Sequence, residues 1–233
     1  MMRTFRLEWK LIREDAFKIG LIYIIFPIFS ALLFLDKATL FDDMMLRQAF
    51  NILFGQINQF NWIYWTFLWF GYVIMLQILW KPHSKYFLYN MLLRYPNKSW
   101  FWLNRLLLIF IFTVCYVILY FVASFFLFLL FQVNIQFDFF IVIQGVVVLM
   151  NIYCHSLLWK LIELLFSAKI ATVLLIILFY TGVEISAPYI PFYFGMTENF
   201  NPNMLPTILL AEVALIITMS VLIVRIGLKK DYY

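Results

Sequence analysis

The chain has 233 residues, of which 66% are hydrophobic and only 12% are charged. A soluble globular domain is about 45–50% apolar and about 25% charged, so this composition excludes an ordinary soluble domain and indicates an integral membrane protein. The net charge is +5, and its distribution along the chain indicates membrane topology rather than nucleic-acid binding. No linker rich in Pro, Gly and Ser interrupts the sequence, which predicts one domain over residues 1–233.

The first residues of the chain form an amphipathic pattern. Phe5, Trp9, Ile12, Ala16 and Ile19 recur at alternating spacings of four and three residues, and basic residues occupy the other faces. This pattern predicts an interfacial helix lying at the inner membrane surface. The alternative is a simple extension of the first membrane span.

Six segments are apolar enough to cross a bilayer, which takes about 20 mostly apolar residues. They predict an all-α integral membrane protein with six transmembrane helices. The segments are about 17–35, 61–79, 106–131, 139–158, 170–187 and 206–226.

The basic residues predict the orientation of these spans. Nearly all of the 17 Lys and Arg residues lie in the N-terminal segment, in the loops after spans 2 and 4, and in the C-terminal segment. The loops after spans 3 and 5 contain none. The positive-inside rule then predicts a multi-pass protein of the plasma membrane with both termini in the cytoplasm.

The loop between spans 2 and 3 contains the basic and aromatic stretch "PHSKYFLYNMLLRYPNKSWFWLNR" at residues 82–105. A short helix is expected to end before Pro96, because the residue preceding a proline disfavours the α conformation. Asn97 or Ser99 is then expected to cap the next helix. Such a cytoplasmic helix, with exposed aromatic and basic side chains, is suited to docking into a groove on a soluble partner.

Polar residues inside the spans are sparse. Glu184 in span 5 and Glu212 in span 6 are at membrane depth, where a charge costs about 2.5–3.5 kcal/mol at a helix centre. They either face the bundle with a functional role or reach polar groups at the membrane surface. Gln77, Gln144 and Asn151 are expected to form hydrogen bonds between helices. His155 is expected to be a hydrogen-bonded structural residue.

The segment between spans 5 and 6, "SAPYIPFYFGMTENFNPNMLP", contains four prolines but is strongly apolar and aromatic. Since proline interrupts helices, it cannot be another straight span. A re-entrant segment dipping into the outer leaflet is predicted, and a plain interfacial loop is the alternative.

Sequence patterns of enzymes are missing. The chain contains no HExxH, GxSxG or GxxxxGK[ST] pattern, so we expect no catalytic residues, no metal site and no ATPase site of its own. It also lacks GxxxG, so helix association must depend on other small or polar residues.

The arrangement resembles the membrane subunits of type-2 ABC exporters, permeases whose ATPase is a separate polypeptide. The resemblance covers the amphipathic N-terminal helix, six spans with both termini inside and the external re-entrant segment. Its most specific local part is "LLRYPNKSWFWLNRLLL" before span 3, and the basic ending "RIGLKKDYY" is also similar. Small permeases of this kind look like those of Gram-positive bacteria that export, or give immunity to, membrane-active peptides.

The resemblance implies a coupling helix at residues 84–96 that contacts the ATPase. The implied partners are an ABC ATPase, which binds ATP and Mg, and a second permease copy, identical or paralogous, within the lipid bilayer. No cofactor is expected in this chain. The implied ATPase-coupling residues are Lys85, Tyr86, Phe87, Tyr89, Leu92, Leu93 and Arg94.

The resemblance also implies a translocation path lined by spans 2 and 5. The aromatic residues of span 2 suit an amphipathic or hydrophobic cargo, with a membrane-active peptide favoured. The candidate path residues are Trp65, Trp69, Tyr72, Glu184 and Glu212.

Two other functions remain open from the sequence. A substrate-binding subunit of an energy-coupling-factor importer also has six spans, and would retain a small ligand without an ATPase. A non-transport membrane protein, such as a membrane-embedded protease or lipid enzyme, would show hydrolysis by the isolated chain.

Overall fold

The computed structural model describes residues 15–38, 62–79, 97–130, 140–184 and 202–229. All regular structure in these ranges is helical, which confirms the all-α prediction. A 3-10 turn at Pro202–Met204 precedes the last helix. The helices are α1 (Ala16–Ala38), α2 (Trp62–Leu79), α3 (Lys98–Leu130), α4 (Phe140–Leu165), α5 (Ala168–Glu184) and α6 (Leu205–Lys229).

Three of these helices are long and apolar enough to cross a membrane: α3 over Lys98–Phe126, α4 over Ile141–Leu165 and α6 over Leu205–Lys229. The chain is therefore a membrane protein by the length and composition of its helices. The apolar parts described in the other helices are shorter, at Phe17–Ser30, Thr66–Ile78 and Ala168–Thr181. The number of six spans remains a prediction.

Several predicted features lie outside the described residues. These are the N-terminal interfacial segment before residue 15, the coupling helix at 84–96 and the re-entrant segment between α5 and α6. The start of α3, in contrast, is described. The side-chain oxygen of Asn97 accepts a hydrogen bond from the N–H of Ser99 at 2.9 Å, so Asn97 is the one of the two predicted candidates that caps this helix.

Helices α3 and α4 show the largest extensions beyond their predicted spans, both at the same end of the bundle. Helix α3 begins at Lys98, directly after its Asn97 cap, whereas the predicted span 3 began at 106. Helix α4 continues to Leu165, whereas the predicted span 4 ended at 158. Lys160, expected in a loop, is instead buried in α4, where it forms a 2.7 Å ion pair with Glu163. The predicted span 4 ends before Lys160 because its charge interrupts the apolar run, whereas α4 continues through Lys160, whose charge is paired with Glu163.

Side-chain contacts show in which direction each helix runs. Near the start of α3, the carbonyl of Leu106 accepts a hydrogen bond from Tyr153 late in α4. Farther along α3, Cζ of Phe121 lies 3.6 Å from the position of a Cβ added at Gly145, which lies early in α4. Helices α3 and α4 are therefore antiparallel, and the two-residue connection after α4 makes α5 antiparallel to α4 as well.

Helix α6 runs parallel to α4, because Val147 packs near Ile208 and Asn151 binds Glu212 one turn later in both helices. Helix α1 packs on α2 and α3, while α4 packs on α3, α5 and α6. Helices α3 and α4 thus form the centre of the bundle, and consecutive helices alternate in direction.

This alternation gathers the described basic residues at one end of the bundle. We call this the basic end, and it comprises the N-terminal ends of α1, α3 and α5 and the C-terminal ends of α2, α4 and α6. Among the described residues, Lys37 near the end of α1 is the one Lys or Arg at the opposite end. The segment between α2 and α3 therefore leaves and re-enters the bundle at the basic end.

Single glycines allow close helix packing. A Cβ added at Gly71 of α2 would lie 2.8 Å from Cγ of Phe26 in α1. A Cβ at Gly227 of α6 would lie 2.6 Å from Cζ2 and Nε1 of Trp102 in α3. The helices associate here because an aromatic ring fills the space left by a glycine, without any GxxxG pattern.

Candidate functional site

The centre of the bundle contains a layer of buried polar side chains from α2, α3, α4 and α6. Each is less than 5% exposed. Lipid offers no hydrogen bonds, so such groups depend on partners within the protein. We define this polar layer as Tyr72, Thr113, Asn151, His155, Ser156 and Glu212.

Glu212 connects α6 to α4. Its Oε1 accepts a hydrogen bond from Nδ2 of Asn151 at 3.2 Å, and its backbone carbonyl accepts one from the Sγ–H of Cys154 at 3.7 Å. The side chain faces the bundle rather than the membrane surface, which decides between the two sequence-based alternatives for its position. Within the described part of the chain, its Oε2 has no hydrogen-bond partner.

His155 connects α4 to α2. Its Nδ1 lies 2.6 Å from the carbonyl oxygen of Asn151, one helical turn earlier, which confirms the predicted hydrogen-bonded histidine. A ring nitrogen this close to a carbonyl oxygen must carry a hydrogen, so Nδ1 is the donor. The edge of the ring meets Trp69 of α2 at a centroid distance of 4.5 Å.

Tyr72 connects α2 to α3. Its hydroxyl lies 2.8 Å from Oγ1 of Thr113, and Thr113 donates its own hydrogen to the carbonyl of Ile109 at 2.8 Å. Since a hydroxyl has one hydrogen to donate, Tyr72 is the donor to Thr113. Trp69 packs edge-on against Tyr72 as well as against His155.

The structure thus brings together three of the predicted path residues. Trp69 and Tyr72 are linked to Glu212 through His155 and Asn151. All three are buried, at 2%, 0% and 4% exposure, so access to them requires the helices to move. The side chains of Trp65 and Glu184 lie outside the described residues, as do the predicted coupling residues between 85 and 94.

A narrow apolar crevice separates α2 from α5 beside the polar layer. It has a volume of about 20 Å³, and the ring of Phe179 on α5 lies 6.2 Å from that of Trp69 on α2. The two helices share few other contacts. The crevice is lined by Trp69, Phe70, Val73, Leu175, Ile176 and Phe179.

Comparisons of this chain with models of protein families, with curated proteins and with solved structures find no match. A functional assignment therefore depends on the geometry and chemistry of the chain itself.

Toward the basic end, Thr172 of α5 joins three helices. Its Oγ1 accepts hydrogen bonds from Nε2 of Gln77 in α2 and from Nε1 of Trp159 in α4, both at 3.1 Å. It donates to the carbonyl of Ala168 at 2.9 Å. Together with the bond between Asn151 and Glu212, this confirms the predicted interhelical roles of Gln77 and Asn151.

Replacing Thr172 by Val should destabilise the bundle by about 1–3 kcal/mol, because the nearly isosteric change leaves the buried N–H of Trp159 without its acceptor. The midpoint of thermal unfolding in detergent measures this effect. Thr218→Val is the matched control, since Thr218 is exposed and donates only to Ala214 in its own helix. Equal midpoints for the two variants would contradict the role assigned to Thr172.

A second cavity is wholly apolar and separate from the polar layer. This groove of about 440 Å³ lies between α3 and α4, with Phe121 and Phe125 on one wall and Val142 and Gly145 on the other. It offers no polar or charged group to a ligand. Elsewhere among the described residues, no group of three His, Cys, Asp or Glu side chains could hold a metal ion.

Sequence reasoning missed the hydroxyl pair of Tyr72 and Thr113 and the contact of Cys154 with Glu212. Hydroxyl and thiol groups within apolar runs resemble ordinary span residues, and only the packing of helices distant in sequence brings them together. The one available signal was the high content of aromatic residues in span 2.

Proposed function

We propose that the chain is the transmembrane subunit of an ATP-driven ABC exporter whose ATPase is a separate polypeptide. One observation carries the proposal: the basic segment 80–96 leaves α2 and enters α3 at the basic end of the bundle. In this proposal six helices span the plasma membrane, the basic end faces the cytoplasm, and the interfacial helix and re-entrant segment complete the fold.

The path in this proposal runs between α2 and α5 toward the polar layer. Buried ionisable groups in membrane spans are costly and commonly mark pathways. The crevice offers the apolar faces of Trp69 and Phe179, whereas His155 and Glu212 offer polar groups beyond it. This combination favours an amphipathic cargo, with a membrane-active peptide as our first candidate.

The proposed mechanism transmits movement along α2. ATP and Mg²⁺ would bind between two ATPase subunits. Closure of these subunits would displace the coupling helix, which follows α2 and precedes α3 in the chain. Helix α2 carries Trp69 and Tyr72, so its displacement would change the packing around His155 and open the seam with α5. A second permease copy, identical or paralogous, would complete the pathway.

The coupling helix is tested by replacing both Leu92 and Leu93 with Glu. We expect the amount of co-purified ATPase to fall at least about tenfold, since losing a central contact in an interface costs about 2 kcal/mol or more and 1.4 kcal/mol corresponds to tenfold. The measurement is co-purification with an ATPase expressed from the neighbouring genes, together with ATPase activity in liposomes.

The control is Leu40→Glu with Leu46→Glu, which places the same two charges in the loop after α1, at the opposite end. This pair should leave the ATPase bound. Normal ATPase binding by the Leu92 and Leu93 variant would contradict the coupling helix. If no ATPase binds the unmodified chain, the exporter proposal itself is wrong, and a small ligand retained through purification would favour the importer subunit.

A further inference from the structure

Four exposed cations lie at the basic end on three helices. Lys98 begins α3, Lys169 lies in the first turn of α5, and Arg225 and Lys229 lie in the last turns of α6. In the described ranges, none of them forms an ion pair with a carboxylate.

The nearby acids are already occupied. Asp15 binds Lys18 of its own helix at 2.8 Å, and Glu163 binds Lys160 of its own helix at 2.7 Å. Among the described residues these are the two carboxylates at the basic end. Within the described ranges, no carboxylate thus neutralises the four exposed cations.

The cations lie at nearly one depth in the bundle. The Nζ of Lys160 lies 5.6 Å from the centre of the Trp102 ring, and that ring packs on Gly227, so α3, α4 and α6 share a level here. The bond between Trp159 and Thr172 places the start of α5 beside the same part of α4. At about 1.5 Å per residue, each cation lies within about 6 Å of this level.

The surface near the four cations exposes apolar and aromatic side chains, as surfaces that face lipid do. On α6, Val221 and Leu222 are 45% and 40% exposed about one turn before Arg225. Trp100 lies two residues after Lys98, and Phe166 lies three residues before Lys169; the two aromatic side chains are 50% and 63% exposed. Exposed aromatic residues at the same level as a group of cations are typical of the boundary between hydrocarbon and headgroups.

We propose that Lys98, Lys169, Arg225 and Lys229 form a basic collar that binds the phosphates of anionic phospholipid headgroups, with Trp100 and Phe166 anchored at the headgroup boundary. The apolar face that continues from the collar along α6 places the cations at the membrane surface, which favours lipid over an acidic soluble protein. The collar is independent of the exporter proposal, because any membrane function of the chain would leave it in place.

The full-length chain in lipid nanodiscs provides the test, with phosphatidylglycerol in phosphatidylcholine as the probe. Native mass spectrometry would count the phosphatidylglycerol molecules retained. Each cation near an anionic surface contributes about 1 kcal/mol, or about fivefold in binding. Replacing all four cations by Gln should therefore lower the preference for phosphatidylglycerol by more than tenfold, and added KCl should weaken the preference of the unmodified chain.

Two controls remove charges outside the collar. Lys37→Gln removes a cation at the opposite end, and Asp15→Asn with Lys18→Gln removes an ion pair without changing the net charge. Both should retain the preference for phosphatidylglycerol, and Arg225→Lys should retain it because the charge remains. If the variant with all four substitutions does not accumulate, the four single Gln variants replace it in the test. Each should lower the preference for phosphatidylglycerol by up to about fivefold.

An unchanged preference for phosphatidylglycerol in the Gln variants would overturn the basic collar. Gln variants that keep the preference for phosphatidylglycerol but no longer bind the ATPase would also overturn the basic collar, because the cations would then bind a protein partner.

Discussion

Replacing Gly227 by Ala should lower the free energy of unfolding by about 1–3 kcal/mol, because a Cβ at this position enters the space of the Trp102 ring. The ring cannot easily yield, since Trp102 is 1% exposed and lies against Lys160 on a third helix. The change therefore separates α6 from α3 at the basic end. Unfolding in mixed micelles of mild detergent and SDS measures the loss.

Gly20→Ala is the matched control for this prediction. Gly20 also lies in a helix, but nothing is within 4 Å of a Cβ added there. Alanine is the better helix former by about 1 kcal/mol in water, so Gly20→Ala should be neutral or slightly stabilising. Equal stability of the two alanine variants would show that Gly227 does not hold the ring of Trp102.

A second substitution can identify the ring as the cause. Trp102→Phe shortens the side chain where it meets Gly227, and in the described structure the indole N–H has no hydrogen-bond partner to lose. We therefore expect Gly227→Ala to cost less in the Trp102→Phe background than alone. A double-mutant cycle measures this coupling, and a coupling near zero would place the cost elsewhere.

Replacing Asn151 by Leu should destabilise the contact between α4 and α6 by about 1–3 kcal/mol, since it removes the hydrogen-bond donor to Oε1 of Glu212. The carboxyl group would then lie buried without this partner. Replacing both residues by Leu should restore most of the lost stability, because exchanging a polar pair for apolar side chains of similar size is often nearly neutral. The free energies of unfolding of both single variants and the double variant measure this.

The same variants separate a structural role of the pair from a role in transport. If Asn151 and Glu212 serve the proposed path, the double Leu variant should fold and bind its ATPase, yet lose most of the ATPase-coupled transport in proteoliposomes. Glu212→Gln, which keeps an acceptor for Asn151, separates the loss of the acid from the loss of the hydrogen bond. Unchanged transport by the stable double variant would show that the polar pair only holds the helices together.

Much of the helical architecture could be predicted from local sequence. The long apolar runs placed α3, α4 and α6, and Pro96 with the polar residues after it narrowed the cap of α3 to Asn97 or Ser99. The ends were less predictable, as α4 shows. Lys160 and Glu163 interrupt the apolar run but form an ion pair with each other inside the helix. Paired charges cost less free energy at membrane depth than unpaired ones.

Individual residues of the candidate site could be predicted from the sequence, but the contacts between them could not. Glu212 and His155 stand out because ionisable residues are rare in apolar helices. The sequence did not reveal that Glu212 binds Asn151, or that His155 meets Trp69, because these pairs are far apart in the chain and depend on which helix faces pack together. For the same reason it did not reveal that Thr172 receives hydrogen bonds from both α2 and α4.

The sequence by itself determined that this is a helical membrane protein with most of its positive charge on alternate connections, since hydropathy and charge are local properties of the chain. Only the tertiary structure decided which side chains meet at depth. Gly227 receives Trp102, and Asn151 receives Glu212, because helix rotation and register, rather than composition, bring these groups into contact. In lipid, close packing and interhelical hydrogen bonds select that register, because apolar faces alone do not distinguish a neighbouring helix from lipid.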